Sequence, residues 1–570
     1  MKKFPWDLVL FITGLCVFLI AACHQRNRIP STEAISAIDL KRGNIILCGP
    51  PDKQLGEVSF KTSCSEKTQK DFNIAVSLLH SFEYDEAEKV FAKIIDEEPG
   101  CAMAYWGVAM SNYHPLWTPP TQEELEKGAK AITIAQSLKT TARESAYINA
   151  VAAFYNNWDI SDHATRSQRF EEAMERVYAD YPDDPEAAIF YALALNGAAS
   201  PADTTFRRQR KAGALLMAIY RYKPDHPGVV HYIIHSYDYA ALAQLALPAA
   251  KRYASIAPSS AHAQHMPSHI FTRLGLWDED IQSNLVATSA ARCYGENMGI
   301  KGHWDEELHG VDYLVYAYLQ KADNVHAKEQ CDYIKTMTNI HPASFKVAYS
   351  LAAVPARYVL ENRLWKEAAA LQTSGPANFP WKAHSWAKAI TYYARSLGNI
   401  HTGRFDAART ALKQLQLIHD TLLAQKDGYK ASQLQIQIKS CQAWLLFKEG
   451  AKNEEALKLM RAAADIEDNI QKLPVTPGEV LPARELLGDM LLQMNKPEEA
   501  LVAYEKDLKE RPNRFNGLYG AGTAARQSNN TAKAKQYYEQ LASITVPSNR
   551  PEMENVRMYL KKQQSQLAKK

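Results

Sequence analysis

The chain has 570 residues, 46% of them hydrophobic and 23% charged, which is the balance of a folded protein and excludes a mostly disordered one. Glycine is scarce at 25 residues, which argues against a turn-rich β architecture, and Lys plus Arg exceed Asp plus Glu by only 66 − 63 = 3, so bulk charge calls for no nucleic-acid partner. At roughly 100 to 200 residues per domain, this length suits either several domains or one extended repeat array.

Lys2 and Lys3 precede an apolar run from Leu8 to Ala22. The run is shorter than the roughly 20 residues a membrane-spanning helix needs, so residues 1–22 read as a signal peptide. It ends in Ile20-Ala21-Ala22-Cys23, which resembles the lipobox of bacterial lipoproteins, and the resemblance implies cleavage before Cys23 and lipidation of that residue. His24 and Gln25 follow, and neither resembles the Asp that retains such proteins in the inner membrane. The expected address is therefore the bacterial cell envelope, lipid-anchored and facing the periplasm from the outer membrane. Ordinary secretion or an uncleaved anchor is the alternative.

After a tether and N-terminal segment at 23–65, a period of 34 residues organises the chain. Ala87, Phe91 and Pro99 lead into Tyr105-Trp106-Gly107, and Ala173 with Pro185, Ala212 with Pro224, and Ala246 with Pro258 repeat one 12-residue step. The physical sense is a helical hairpin, in which alanine lets two helices approach closely and proline stops the second. Residues 66–330 form the first array on this reading. Weaker hairpins centre on Asp280 and Ala327, and 331–480 holds degenerate ones around Ala368, Ala408 and Ala456. A clear pair occupies 481–545, where Gly488, Ala500, Tyr504 and Pro512 are followed by Gly522, Ala534 and Tyr538. A helix and tail, 546–570, close the chain.

These spacings resemble the tetratricopeptide repeat. The segments Phe60-Lys61-Thr62-Ser63-Cys64 and His262-Ala263-Gln264-His265-Met266-Pro267-Ser268-His269 resemble those of a large family of exported bacterial proteins built on that repeat. The resemblance implies an all-α, tetratricopeptide-type α-solenoid, a right-handed superhelix of helical hairpins with a concave inner groove. It brings no reaction with it.

Removing the signal peptide and Cys23 leaves six cysteines, none in a C-x-x-C pair. Cys64 and Cys101 open helices in neighbouring repeats, where parallel packing brings helix starts together, so a disulfide between them is expected; buried free thiols are the alternative. Trp106, Tyr113 and Trp117 read as core and cap around a proline-rich loop or, failing that, as an aromatic binding edge.

The histidines carry the functional signal. With Ala212 and Ala246 as reference positions, His231 and His235 fall at repeat positions 5 and 9, and His265 and His269 recur at the same positions 34 residues later. Such positions line the concave groove of tetratricopeptide folds. His262 joins them, with Asp238 and Arg273 as flanking charges, and a frame on Ala327 adds His309, Asp312 and Tyr316. His80 and His114 form a smaller echo.

One reading is a groove that binds a protein, a peptide or a small anionic ligand; another is structural hydrogen bonding between helices. A third is metal binding, because histidines at i and i+4 share a helix face and can grip one transition metal such as zinc. His231, His235, His265 and His269 are then the ligands, and Asp238 or Asp312 a conceivable general base for a metal-dependent enzyme. A non-catalytic binding scaffold leads, with metal-dependent chemistry second and a nutrient (glycan)-binding outer-membrane lipoprotein last. No H-E-x-x-H motif, Walker loop or G-x-S-x-G elbow occurs, so the scaffold reading needs no resident cofactor.

Overall fold

The computed structural model describes residues 29–49, 55–116, 119–200, 203–373, 375–450, 452–470 and 475–567. Residues 1–22, read above as a signal peptide, lie outside them, as do Cys23 and Trp117. The fold is an all-α, tetratricopeptide-type α-solenoid of helical hairpins. Among the described residues no helix is long and apolar enough to cross a membrane.

The chain forms two compact units, one of residues 1–45 and 58–198, the other of 46–57 and 199–570. The division falls inside the 66–330 segment that the repeat pattern treats as one array. The first unit stacks Glu66–His80 on Tyr84–Glu97, Ala102–Ser111 on Gln122–Ser137, and Ala142–Tyr155 on His163–Asp180, ending with Pro185–Gly197. Thr121 and Thr141 start two of these helices with full capping boxes to Glu124 and Glu144, satisfying amide groups that the first turn leaves without partners. Pro185 begins a helix at its first position and does not end one, a place where its missing N–H costs nothing. Trp106 and Tyr113 are core residues, each 1% exposed. Cys64 and Cys101 form a disulfide.

The second unit contains the histidines. Pro227–Tyr237 pairs with Ala243–Ile256, and the next repeat begins with a helix broken at Pro267 into Ala261–His265 and Pro267–Leu274, followed by Trp277–Asn297. A loop with the short strand His303–Trp304, parallel to Ile340–His341, leads into Asp305–Gln320. Cys48 is joined to Cys293 by a disulfide spanning 245 positions. The repeat logic holds at side-chain level in the C-terminal pair: a Cβ on Gly488 would meet the Tyr504 ring at 2.6 Å, so only glycine admits the tyrosine that fills the hairpin.

The C-terminal hairpins pack back on the histidine-bearing segment of the same unit. The Trp277 indole N–H donates to the Asn513 carbonyl at 2.8 Å, Arg514 donates to the Tyr316 hydroxyl at 2.9 Å, and the Phe515 amide donates to Gln320 at 2.9 Å. Gly275 makes the approach feasible: it caps Pro267–Leu274 at φ +64, and a Cβ there would lie 2.4 Å from the Pro512 carbonyl oxygen. Gly275→Ala combines left-handed strain with that clash and should lower the unfolding free energy by about 2 kcal/mol or more. Urea denaturation followed by helical circular dichroism measures it; an unchanged midpoint contradicts the docking.

Candidate functional site

His231 and His235 lie four residues apart on Pro227–Tyr237, so the helix repeat puts both imidazoles on one face. Their Nε2 atoms stand 2.9 Å apart. His262 packs edge-on to His231, ring centroids 5.0 Å apart, and the donor nitrogens of these three side chains all lie within 4.8 Å of one another. His265, His269 and His309 form a second set with the same limit, in which the Nε2 atoms of His265 and His269 are 3.1 Å apart. The two sets adjoin, the rings of His235 and His269 being 6.5 Å apart.

The surroundings decide which nitrogens carry protons. His269 Nδ1 faces Asp238 Oδ2 at 2.9 Å, and a carboxylate can only accept, so Nδ1 holds the hydrogen. His265 Nδ1 faces Asn284 Oδ1 at 2.7 Å. The Asn284 amide nitrogen already donates to Asp280 Oδ1 at 2.7 Å and to its backbone carbonyl, which orients the oxygen toward His265 and places that hydrogen on Nδ1 too. In the neutral rings both Nε2 atoms are then acceptors, and the Tyr313 hydroxyl lies 3.5 Å from that of His269. Imidazoles oriented through Nδ1 by carboxylate and amide partners, with Nε2 atoms convergent, are the arrangement of metal ligands and their supporting hydrogen bonds.

Burial holds His235, His262, His265 and His309 well below the ordinary imidazole range, and repulsion from neighbouring imidazoles acts in the same direction. Asp280, fully buried, is pushed well above the carboxylate range by desolvation while bonding Thr272 and Asn284.

The structure brings together His231, His235, His262, His265, His269 and His309, with Asp238 and Arg273 behind them. Three of the expectations change. The groove residues are not exposed: His231, 0% accessible, packs against Tyr253 and His262, and His269, 3% accessible, against Tyr313. The two acids are not available as general bases, since Asp238 accepts from His269 and from Arg273 Nε at 2.9 Å, and Asp312 is paired with the buried Arg357. Tyr316, placed beside His309 by the Ala327 frame, instead packs on Trp277 and accepts from Arg514.

Tyr313 takes that place. Its hydroxyl is 3.5 Å from His269 Nε2, and its ring packs against His265, His269 and His309 with centroids 4.8, 5.2 and 5.4 Å apart. The signal was present in the spacing: His309 and Tyr313 follow His265 and His269 by 44 residues, one period plus an insertion of 10. His80 and His114 do not form a pair of their own; His80 bonds Glu186 at 3.0 Å and His114 bonds Glu124 at 3.0 Å. Beside the second set, Arg273, Tyr239, Trp277, Glu479 and Arg511 line a cavity of about 250 Å³.

No protein-family model matches the chain, and no curated protein matches it. Among solved structures it is similar to the human IFIT1 dimer with m7Gppp-AAAA, at 12% identity over 82% of this chain and 94% of that one, with a TM-score of 0.37. It is also similar to yeast Tom70, at 11% identity over 88% of this chain and 96% of that one, with a TM-score of 0.27. At that level of superposition neither likeness bears on the site, which stands on its own geometry.

The depressed imidazoles set a pH dependence. Unfolded histidines titrate near 6.5, so below that pH the unfolded chain binds protons that the folded site refuses. Stability is complete above about pH 7 and falls progressively as pH drops through the unfolded value, each such histidine contributing in the same direction. Chelator-treated protein should show a falling urea midpoint between about pH 7 and pH 5.5, and a less steep fall in His309→Gln. A flat profile contradicts the neutral, buried cluster.

Proposed function

We propose that the chain is an exported metalloprotein whose tetratricopeptide-type array holds two adjoining three-histidine sites for transition-metal ions. The carrying observation is the convergence of three ring nitrogens in each set, with the His265 and His269 rings fixed through Nδ1 so that their Nε2 atoms face each other. Nitrogen-only donor sets suit zinc, copper, iron and nickel, whereas magnesium, calcium and manganese favour oxygen ligands. Three histidines leave a fourth position on each ion, to be filled by water, a substrate or a further side chain. His262 and His309 extend the four-histidine set read from the repeat register to six.

The array remains a scaffold, and a protein or peptide partner would meet other surfaces of it; what the histidines hold is smaller. Export and lipid anchoring at Cys23 belong to the same proposal. They are supported by the lipobox-like sequence and by the Cys48–Cys293 and Cys64–Cys101 disulfides, which persist in oxidising compartments such as the periplasm.

Elemental analysis of protein purified without an affinity tag tests the metal reading. Two ions per chain are expected after metal is supplied, and His231→Ala with His235→Ala should remove one of them. Occupancy below about one-tenth, with helicity intact, overturns the proposal.

A further inference from the structure

Resting on the metal reading above, we propose that Tyr313 is the fourth ligand of the His265, His269 and His309 set, bound through its phenolate oxygen, so that this set takes an oxidised ion, ferric or cupric, in preference to zinc.

The spacing of the donor atoms carries the assignment. Two ligands bonded to one ion at about 2.0 Å in tetrahedral geometry sit about 3.3 Å apart. His265 Nε2 and His269 Nε2 are 3.1 Å apart, and the Tyr313 hydroxyl is 3.5 Å from His269 Nε2. His269 Nε2 therefore has a neighbour on each side, His265 Nε2 and the Tyr313 oxygen, at close to the separation of neighbouring ligands before any ion draws them in. The phenol ring is enclosed by the three imidazoles of its own set and is buried, so its oxygen is held beside His269 Nε2 and not presented to water.

The sequence places it there for the same reason. His231 and His235, His265 and His269, and His309 and Tyr313 are three i, i+4 pairs on successive first helices of hairpins. Tyrosine occupies the position that histidine holds in the other two. In the first set the rings of Tyr232 and Tyr253 pack against His231, and the proposal assigns no phenolate there. The two adjoining sites then differ in chemistry: one keeps neutral donors, and the other adds an anionic oxygen that favours a higher ionic charge. On binding, the Tyr313 O–H bond breaks, an oxygen–metal bond forms, and one proton leaves to solvent per ion bound.

The test uses the full chain purified without a tag, stripped with chelator and loaded with ferric ion supplied as its nitrilotriacetate complex, or with cupric ion. Wild type should develop a visible phenolate-to-metal charge-transfer band with tyrosinate modes in its resonance Raman spectrum. Tyr313→Phe, which removes a single oxygen atom, should keep the bound ion by elemental analysis and lose the band. Tyr316→Phe should retain both. A band that persists in Tyr313→Phe, or bound metal without a band in wild type, overturns the assignment while leaving the histidine sites standing. Zinc bound where neither ferric nor cupric ion binds overturns the assignment alone, and failure to bind ferric, cupric or zinc ion in either set overturns the metal reading itself, and the ligand assignment with it.

Discussion

The second unit is arranged around two imidazole nitrogens that face each other 3.1 Å apart, those of His265 and His269. Asp238 and Asn284 hold the opposite nitrogens at 2.9 and 2.7 Å, so neither ring can turn to relieve the contact without breaking a buried hydrogen bond. Each such bond left unmade inside a protein costs about 1 to 3 kcal/mol. A cation between the two nitrogens converts this opposition into attraction. Asp238 is in turn paired with Arg273, and Asn284 with Asp280, so the constraint passes outward to the helices on either side.

Repeat architecture explains how such a site can be assembled from distant residues. Stacked hairpins bring equivalent positions of successive repeats side by side, so an i, i+4 pair written into three consecutive first helices becomes a patch of six side chains. The pattern also displaces normal repeat packing. Asp280 falls 34 residues after Ala246, at the position where other repeats place a close-packing alanine. Its carboxyl is fully buried and well above the ordinary carboxylate range through desolvation, a cost offset by its bonds to Thr272 and Asn284. An acid at an alanine position is difficult to account for by hairpin packing, and its place behind His265 gives it a use.

Much of this was legible in the sequence. Alanine, glycine, tyrosine and proline at fixed steps mark the hairpins because each residue type answers a steric demand of close-packed helices. The register of His231, His235, His265 and His269 follows from the same period. Burial of those histidines was not legible, because it comes from neighbours on other helices, Tyr253 and His262 against His231 and Tyr313 against His265 and His269, contacts that the repeat register alone does not specify. Tyr313 was obscured by an insertion of 10 residues that shifts the frame. The partner of Cys48 was hidden for a similar reason: residues 46–57 belong with the second unit, and Cys293 lies 245 positions away.

Anomalous X-ray diffraction from crystals of metal-loaded, tag-free protein, recorded on both sides of the metal's absorption edge, tests the central claim most directly. Two peaks are predicted, one among His231, His235 and His262, the other among His265, His269 and His309, each within about 2.0 to 2.2 Å of its Nε2 ligands. Peaks confined to surface side chains, with facing imidazole nitrogens still 3.1 Å apart and no density between them, would contradict the account.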